Sequence, residues 1–87
     1  MLNASVLNVR NLTAADAEIL EIEATPGSRI TLHPIREISL PNKVDIGGLS
    51  RRGVGMTVNG NTIIQPGDHV VVFCAASALR DVERLFK

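Results

Sequence analysis

Residues 65–73 read QPGDHVVVF, a tight turn followed directly by an apolar run. Pro66 presets the backbone φ of the second turn position, and Gly67 accepts the positive φ that a type II turn requires at the third. The run from Val70 to Phe73 does not alternate apolar with polar residues, which is typical of a strand covered on both faces. This stretch therefore predicts the central strand of a sheet.

The residues before this strand predict further strands and one short helix. Charged and apolar residues alternate from Glu18 to Ala24, as in a half-buried strand, and a Pro-Gly turn at residues 25–28 ends it. Pro34 suits the first position of a short helix over residues 34–38. Strands follow at residues 44–51, 56–58 and 62–64, with a bulge at Gly47-Gly48 and a hairpin turn at Asn59-Gly60.

The end of the chain predicts an amphipathic helix. Ser77 can cap it, and Leu79, Val82 and Phe86 share one face at the i, i+3, i+7 spacing. No regular period fits residues 1–16, which we interpret as a linker or tail, so that residues 17–87 form the folded domain. The predicted fold class is α+β: a small mixed or antiparallel sheet of about five strands, a short helix after the first strand and a C-terminal helix.

The composition argues against several classes of function. The 87 residues are 45% hydrophobic but only 2% aromatic, and their formal net charge is zero. A neutral domain without Trp or Tyr lacks the positive electrostatic potential that attracts a phosphate backbone. It also lacks most of the aromatic side chains on which nucleic-acid bases stack. No apolar run reaches the ~20 residues of a membrane span. Cys74 is the only cysteine, so no intrachain disulfide can form and a cytoplasmic location is the default.

Candidate residues for catalysis or metal binding are few. Cys74 ends the most apolar strand, where burial raises a thiol pKa and favours packing over reactivity. Neither histidine has a metal ligand at suitable spacing, and Asp68 beside His69 is better explained as an acceptor of a backbone hydrogen bond in its turn. Arg51 and Arg52 could meet an anion, although a solvated strand end is the simpler explanation. We expect no catalytic residue and no metal; a small thiol-dependent enzyme using Cys74 and His69 is the alternative.

The order of these motifs resembles the TrkA C-terminal domain, the second half of the regulator-of-potassium-conductance module. The PGDHVVV turn and strand is the best single match, and the resemblance covers roughly residues 17–87. Its other pieces are, in chain order, Gly27-Ser28, Leu40-Pro41, Ile46-Gly47-Gly48 with Arg52, Gly60-Asn61-Thr62, and Leu79 to Phe86. The resemblance implies a non-catalytic, ligand-sensing and dimerising domain that regulates potassium transport.

The resemblance also implies partners and a location. The family's domain follows a nucleotide-binding domain and acts with a membrane potassium transporter subunit, at the cytoplasmic face of the membrane. No Rossmann fingerprint occurs here, so the chain looks like the C-terminal part of a longer protein. A homodimer is expected as well, because one amphipathic and one short helix offer too little apolar surface to cover both faces of the central strand. Regulation of another cation or anion transporter is the alternative.

A ligand would be held, by this resemblance, along the stretch from Arg36 to Arg52. No cofactor is expected in the domain itself, and the small regulatory ligand is unidentified. Members that bind cyclic di-adenosine phosphate carry an arginine and an asparagine where this chain has Pro41 and Asp45, so we do not expect that ligand to be held in their manner. The candidate ligand-binding residues are Arg36, Asp45, Ile46, Arg51 and Arg52.

Overall fold

The computed structural model describes residues 6–12 and 16–87, and in this part of the chain five strands form one sheet. The strands are β1 (Val6–Leu12), β2 (Ala17–Glu23), β3 (Val44–Arg51), β4 (Val54–Met56) and β5 (His69–Ala75). They lie in the order β1-β2-β5-β3-β4, and every neighbouring pair is antiparallel. The apolar run predicted to be central therefore occupies the middle of the sheet.

The helical segments in the described residues are short. They are 3-10 turns at Arg29–Thr31, Ile35–Glu37 and Ala76–Ala78, followed by the helix α1 (Leu79–Leu85). The predicted short helix is thus a 3-10 turn, which stops because Ile38 is already extended at φ −94° and ψ 124°. Ser77 does not cap α1; it lies within the preceding 3-10 turn, and Ala78 holds the cap position. The α+β fold class is confirmed.

One face of the sheet carries the core. Alternate residues of the three inner strands point into it and meet the buried face of α1, formed by Val82 and Leu85 together with Phe86 just beyond the helix. The strands contribute Leu20, Ile22, Val44, Ile46, Leu49, Val70, Val72 and Cys74. Leu79 is partly buried against the same cluster, so the predicted apolar face of the C-terminal helix is confirmed.

The other face of the sheet is only partly covered. Along β5 the buried residues alternate with more exposed ones, and Phe73 is 42% exposed. Within the described residues of one chain, only one face of this strand is therefore fully covered, and cover of the other face by a partner subunit stays a prediction. The helical segments place their buried residues in a single cluster on the core face, so they leave the opposite face, here called the outer face, to solvent.

The hairpin turn lies at a different place from the one that the sequence predicts. Strands β3 and β4 pair with Arg51 opposite Val54, which makes Arg52 and Gly53 the two central residues of the turn. Both have positive φ, 55° and 80°, as a type I′ turn requires. Residues 57–68 contain no strand, so the predicted pairing of residues 56–58 with 62–64 is wrong.

The predicted turn residues Asn59-Gly60 organise a loop instead. The Asn59 side-chain oxygen accepts a hydrogen bond from the Asn61 N–H at 2.8 Å, and the Gly60 carbonyl accepts one from the Arg36 N–H at 2.9 Å. The Ile35 N–H also donates to the Thr62 carbonyl at 3.0 Å. The backbone of this loop is thus satisfied by the 3-10 turn at Ile35–Glu37 and not by a second strand.

Two irregularities shape the sheet. The predicted bulge is confirmed, because the register of β3 against β5 shifts between Ile46 and Gly48. Strand β1 was not predicted from the sequence; it pairs along the edge of β2 with its own register shift between Val6 and Asn8. That shift moves successive side chains out of strict alternation, so no period of two runs through these residues. A domain boundary at residue 17 stays a prediction.

Candidate functional site

A cleft of about 400 Å³ opens where the end of β3 meets the turn before β5. It is lined by residues 50–53 and 65–69. Because Ser50 pairs in register with His69, the sheet brings the two arginines at the end of β3 beside the Pro-Gly turn. Two motifs that are separate in the sequence therefore form one site.

The carboxylate of Asp68 anchors this cleft. It is 2% exposed and accepts two hydrogen bonds from Arg51, one from Nε at 2.9 Å and one from Nη2 at 2.8 Å. The Gln65 N–H donates a third at 2.9 Å, which confirms the predicted backbone contact within the turn. Arg51 Nη2 also donates to the Ile63 carbonyl at 3.2 Å. A bidentate pair with this support fixes the turn against the end of β3.

This pairing changes the proton affinity of both groups. The hydrogen bonds from Arg51 lower the pKa of the Asp68 carboxyl; burial opposes the effect, and the Gln65 N–H reinforces it. The same hydrogen bonds raise the pKa of Arg51 above its already high ordinary value. Asp68 is therefore ionised in the folded chain at neutral pH, and Arg51 balances its charge.

Arg52 lies at the rim of the cleft. Its side chain is exposed, and its backbone φ of 55° lies in the region that Asn, Asp and Gly tolerate best. Within the described ranges, its guanidinium takes part in no hydrogen bond or ion pair. The cleft therefore carries a positive group that the fold itself does not use.

His69 and Cys74 do not form a reactive pair. They are five residues apart in β5 and so lie on opposite faces of the sheet. His69 is 44% exposed, with Nδ1 3.2 Å from Glu21 Oε2. Cys74 is 4% exposed on the core face, where burial, with a smaller contribution from Glu18, raises the pKa of its thiol. The geometry needed for a histidine-activated thiolate is absent from this pair.

The structure places Arg36 away from the cleft. Its Nη1 donates to the Asn61 side-chain oxygen, and its Nη2 lies 3.6 Å from Glu37 Oε2. A Cβ at Gly60 would lie 3.1 Å from the Arg36 Cβ, so the loop packs closely against this residue. Arg36 holds the loop of residues 57–63, and a role in ligand binding stays a prediction.

Asp45 and Ile46 point to opposite sides of the sheet near the start of β3. Ile46 is 7% exposed within the core, whereas Asp45 is exposed on the outer face opposite Phe73. Of the five candidate ligand-binding residues, only Arg51 and Arg52 therefore come together at the cleft. A ligand role for Asp45 and Ile46 is untested by this geometry.

Residues 6–12 and 16–87 offer neither a cluster of metal ligands nor a membrane-spanning helix. No group of three or more His, Cys, Asp or Glu side chains lies close enough together to hold a metal ion. None of the helices in these ranges has the length and apolar character needed to cross a bilayer.

Comparison with known proteins gives consistent matches. A family model described as the TrkA-C domain matches residues 19–87. The chain is 34% identical over 82 residues to a Trk system potassium uptake protein TrkA of Azorhizobium caulinodans, a match that covers 94% of this chain and 18% of that protein. It is 37% and 35% identical over 71 residues to TrkA homologs 1 and 2 of Methanosarcina mazei, covering 82% of this chain and 16% of each. The chain thus spans less than a fifth of the length of these relatives.

Proposed function

We propose, because the chain belongs to the TrkA-C domain family, that it is the regulatory domain of a Trk-type potassium uptake protein. The observation that carries this proposal is the family match over residues 19–87, which includes nearly all of β2 and every later element. In the proposed mechanism the domain is not an enzyme. It binds a small ligand and changes the arrangement of subunits, and this change controls potassium transport.

The proposal places the domain within a larger assembly. The relatives are Trk system potassium uptake proteins in which the matching segment is 16–18% of the chain, so most of each relative lies outside this segment. We propose an N-terminal nucleotide-binding domain and a membrane potassium transporter subunit as partners, at the cytoplasmic face of the membrane. The separation of His69 from Cys74 supports a role without catalysis.

The direct test is potassium uptake in cells that express the parent protein. We expect that removing residues 17–87 changes the initial rate of uptake, measured with a potassium-selective electrode, while the level of the transporter is unchanged. Deletion that leaves potassium uptake intact but alters sodium or proton exchange would assign the domain to another transporter. A substitution on the exposed surface of α1, Arg80→Gln, serves as the control for expression and folding.

We further propose that the domain forms a homodimer through the outer face of the sheet. Phe73 lies at the centre of this face, with Ile19 and Asp45 as its register partners on the two neighbouring strands. The Phe73 ring covers Gly47, where a Cβ would collide with it. A second copy would remove this half-exposed apolar centre from water.

Phe73→Asp is expected to shift the dimer to monomer, because each interface would then bury two carboxylates in an apolar centre. Sedimentation velocity at tens of micromolar protein measures the change. Leu32→Asp is the matched control, since Leu32 is 57% exposed but follows a 3-10 turn on the other side of the sheet. A wild-type chain that sediments as a 9.3 kDa monomer would contradict the proposal.

A further inference from the structure

We propose that the cleft between residues 50–53 and 65–69 binds a phosphate group through the guanidinium of Arg52. The inference rests on the proposed ligand-sensing function and names the chemical class of the ligand. The phosphate can belong to a phosphate monoester or to inorganic phosphate, and the two sources share the same oxyanion chemistry.

Arg52 adopts a backbone conformation that is unfavourable for arginine. A left-handed conformation is unfavourable for a residue with an ordinary side chain, because its Cβ comes too close to the following carbonyl oxygen. The two-residue turn between β3 and β4 favours Asn, Asp or Gly at this position, and the chain has arginine there with φ of 55°. Among the described residues, no hydrogen bond or ion pair of its guanidinium offsets that cost. A residue type that destabilises the fold at its position without a structural gain is typical of a functional position.

The charges in the cleft wall favour an anion as the ligand. The carboxylate of Asp68 lines the cleft, but it is 2% exposed and accepts three hydrogen bonds from Arg51 and the Gln65 N–H. Its charge is therefore neutralised within the wall. His69 also faces the Glu21 carboxylate, 3.2 Å away. Arg52 is left as the cation that sets the preference of the cleft for an anion.

The size of the cleft and the donor groups of its lining residues suit a phosphate ester. Besides Arg52, its lining residues include Ser50 and Gln65, whose hydroxyl and amide groups are hydrogen-bond donors. A phosphate monoester offers three terminal oxygens to such donors, whereas a carboxylate offers two. The volume of about 400 Å³ exceeds that of a lone phosphate and falls in the range of small-molecule sites. This favours a monoester, with its organic part along Pro66 and Gly67.

The experiment uses calorimetric titration of the 87-residue chain with phenyl phosphate and, separately, with inorganic phosphate at constant ionic strength. We expect saturable binding that Arg52→Asn weakens about tenfold or more, the typical effect of losing a charge-assisted hydrogen bond. Arg52→Asn suits the turn, so without ligand this variant should unfold at the same or a higher temperature than the wild type. Arg52→Gly is a second variant with the same expectation. Arg80→Gln, which removes an exposed arginine of α1, should bind like the wild type.

The outcomes separate the alternatives. Tighter binding of phenyl phosphate supports a monoester site, and tighter binding of inorganic phosphate supports a site for the free ion. Absence of saturable binding for both probes, or equal affinity in wild type and Arg52→Asn, overturns the inference. Potassium uptake that depends on residues 17–87 but a cleft that binds neither probe would reject this inference alone and leave the proposed function standing.

Discussion

Replacing Asp68 with alanine is expected to lower the free energy of unfolding by about 3 kcal/mol, measured by urea unfolding at neutral pH. The substitution removes three hydrogen bonds, two from Arg51 and one from the Gln65 N–H. It also leaves a positive charge that is only 24% exposed without its partner. Since water still reaches part of that guanidinium, the effect belongs near the lower end of the range for broken buried ion pairs.

The matched control is Asp81→Ala. Asp81 is also paired with an arginine, Arg84, at 3.3 Å, but the two side chains are 42% and 68% exposed. Exposed pairs of this kind contribute little, so we expect a loss of about 0.5 kcal/mol. Similar losses for Asp68→Ala and Asp81→Ala would show that the buried pair does not hold the cleft together.

Acid unfolding gives a second readout of the same pair. Because the pKa of Asp68 is lowered in the folded state, the unfolded chain takes up a proton first as the pH falls. The stabilisation is fully present above the unfolded pKa of about 3.9 and is lost as the pH falls through the folded pKa. The wild type should therefore lose stability below about pH 4 more steeply than Asp68→Asn. Parallel curves for the two proteins would contradict this assignment.

Replacing Phe86 with alanine is expected to destabilise the domain by about 3–5 kcal/mol, the usual range for deleting a buried aromatic ring. Phe86 is 2% exposed and belongs to the core cluster. Its carbonyl accepts a hydrogen bond from Thr25 Oγ1 at 2.9 Å, and the next carbonyl, of Lys87, accepts one from the Arg29 N–H at 3.2 Å. These two bonds join the end of the chain to the segment after β2, next to the buried ring.

The chain contains its own control for this experiment, because its other phenylalanine, Phe73, is 42% exposed. Phe73→Ala should cost less than about 1 kcal/mol when unfolding is followed at a concentration where both variants are monomeric. At a higher protein concentration, where the proposed dimer forms, Phe73→Ala should lower the free energy of unfolding by a larger amount. Equal losses for the two variants in the monomer would mean that burial of the C-terminal ring contributes little.

Local chemistry in the sequence was sufficient to predict much of the fold. The Pro-Gly turn and the apolar run from Val70 to Phe73 correctly indicated the central strand, and the spacing of Val82 and Phe86 indicated the buried face of α1. The hydrogen bond from the Gln65 N–H to Asp68 was also predictable, because it joins residues three apart within one turn. These features depend on neighbouring residues, so a single sequence contains the information for them.

The sequence alone determined the α+β class and the family resemblance, but the tertiary structure decided the cleft. Arg51 and Asp68 are 17 residues apart, and they meet only because the bulged register of β3 aligns Ser50 with His69. The same long-range pairing put the hairpin turn at Arg52-Gly53 and not at the locally favoured Asn59-Gly60. Which strands pair is set by the total burial and hydrogen bonding of the sheet, and this sum outweighs the preference of any one turn.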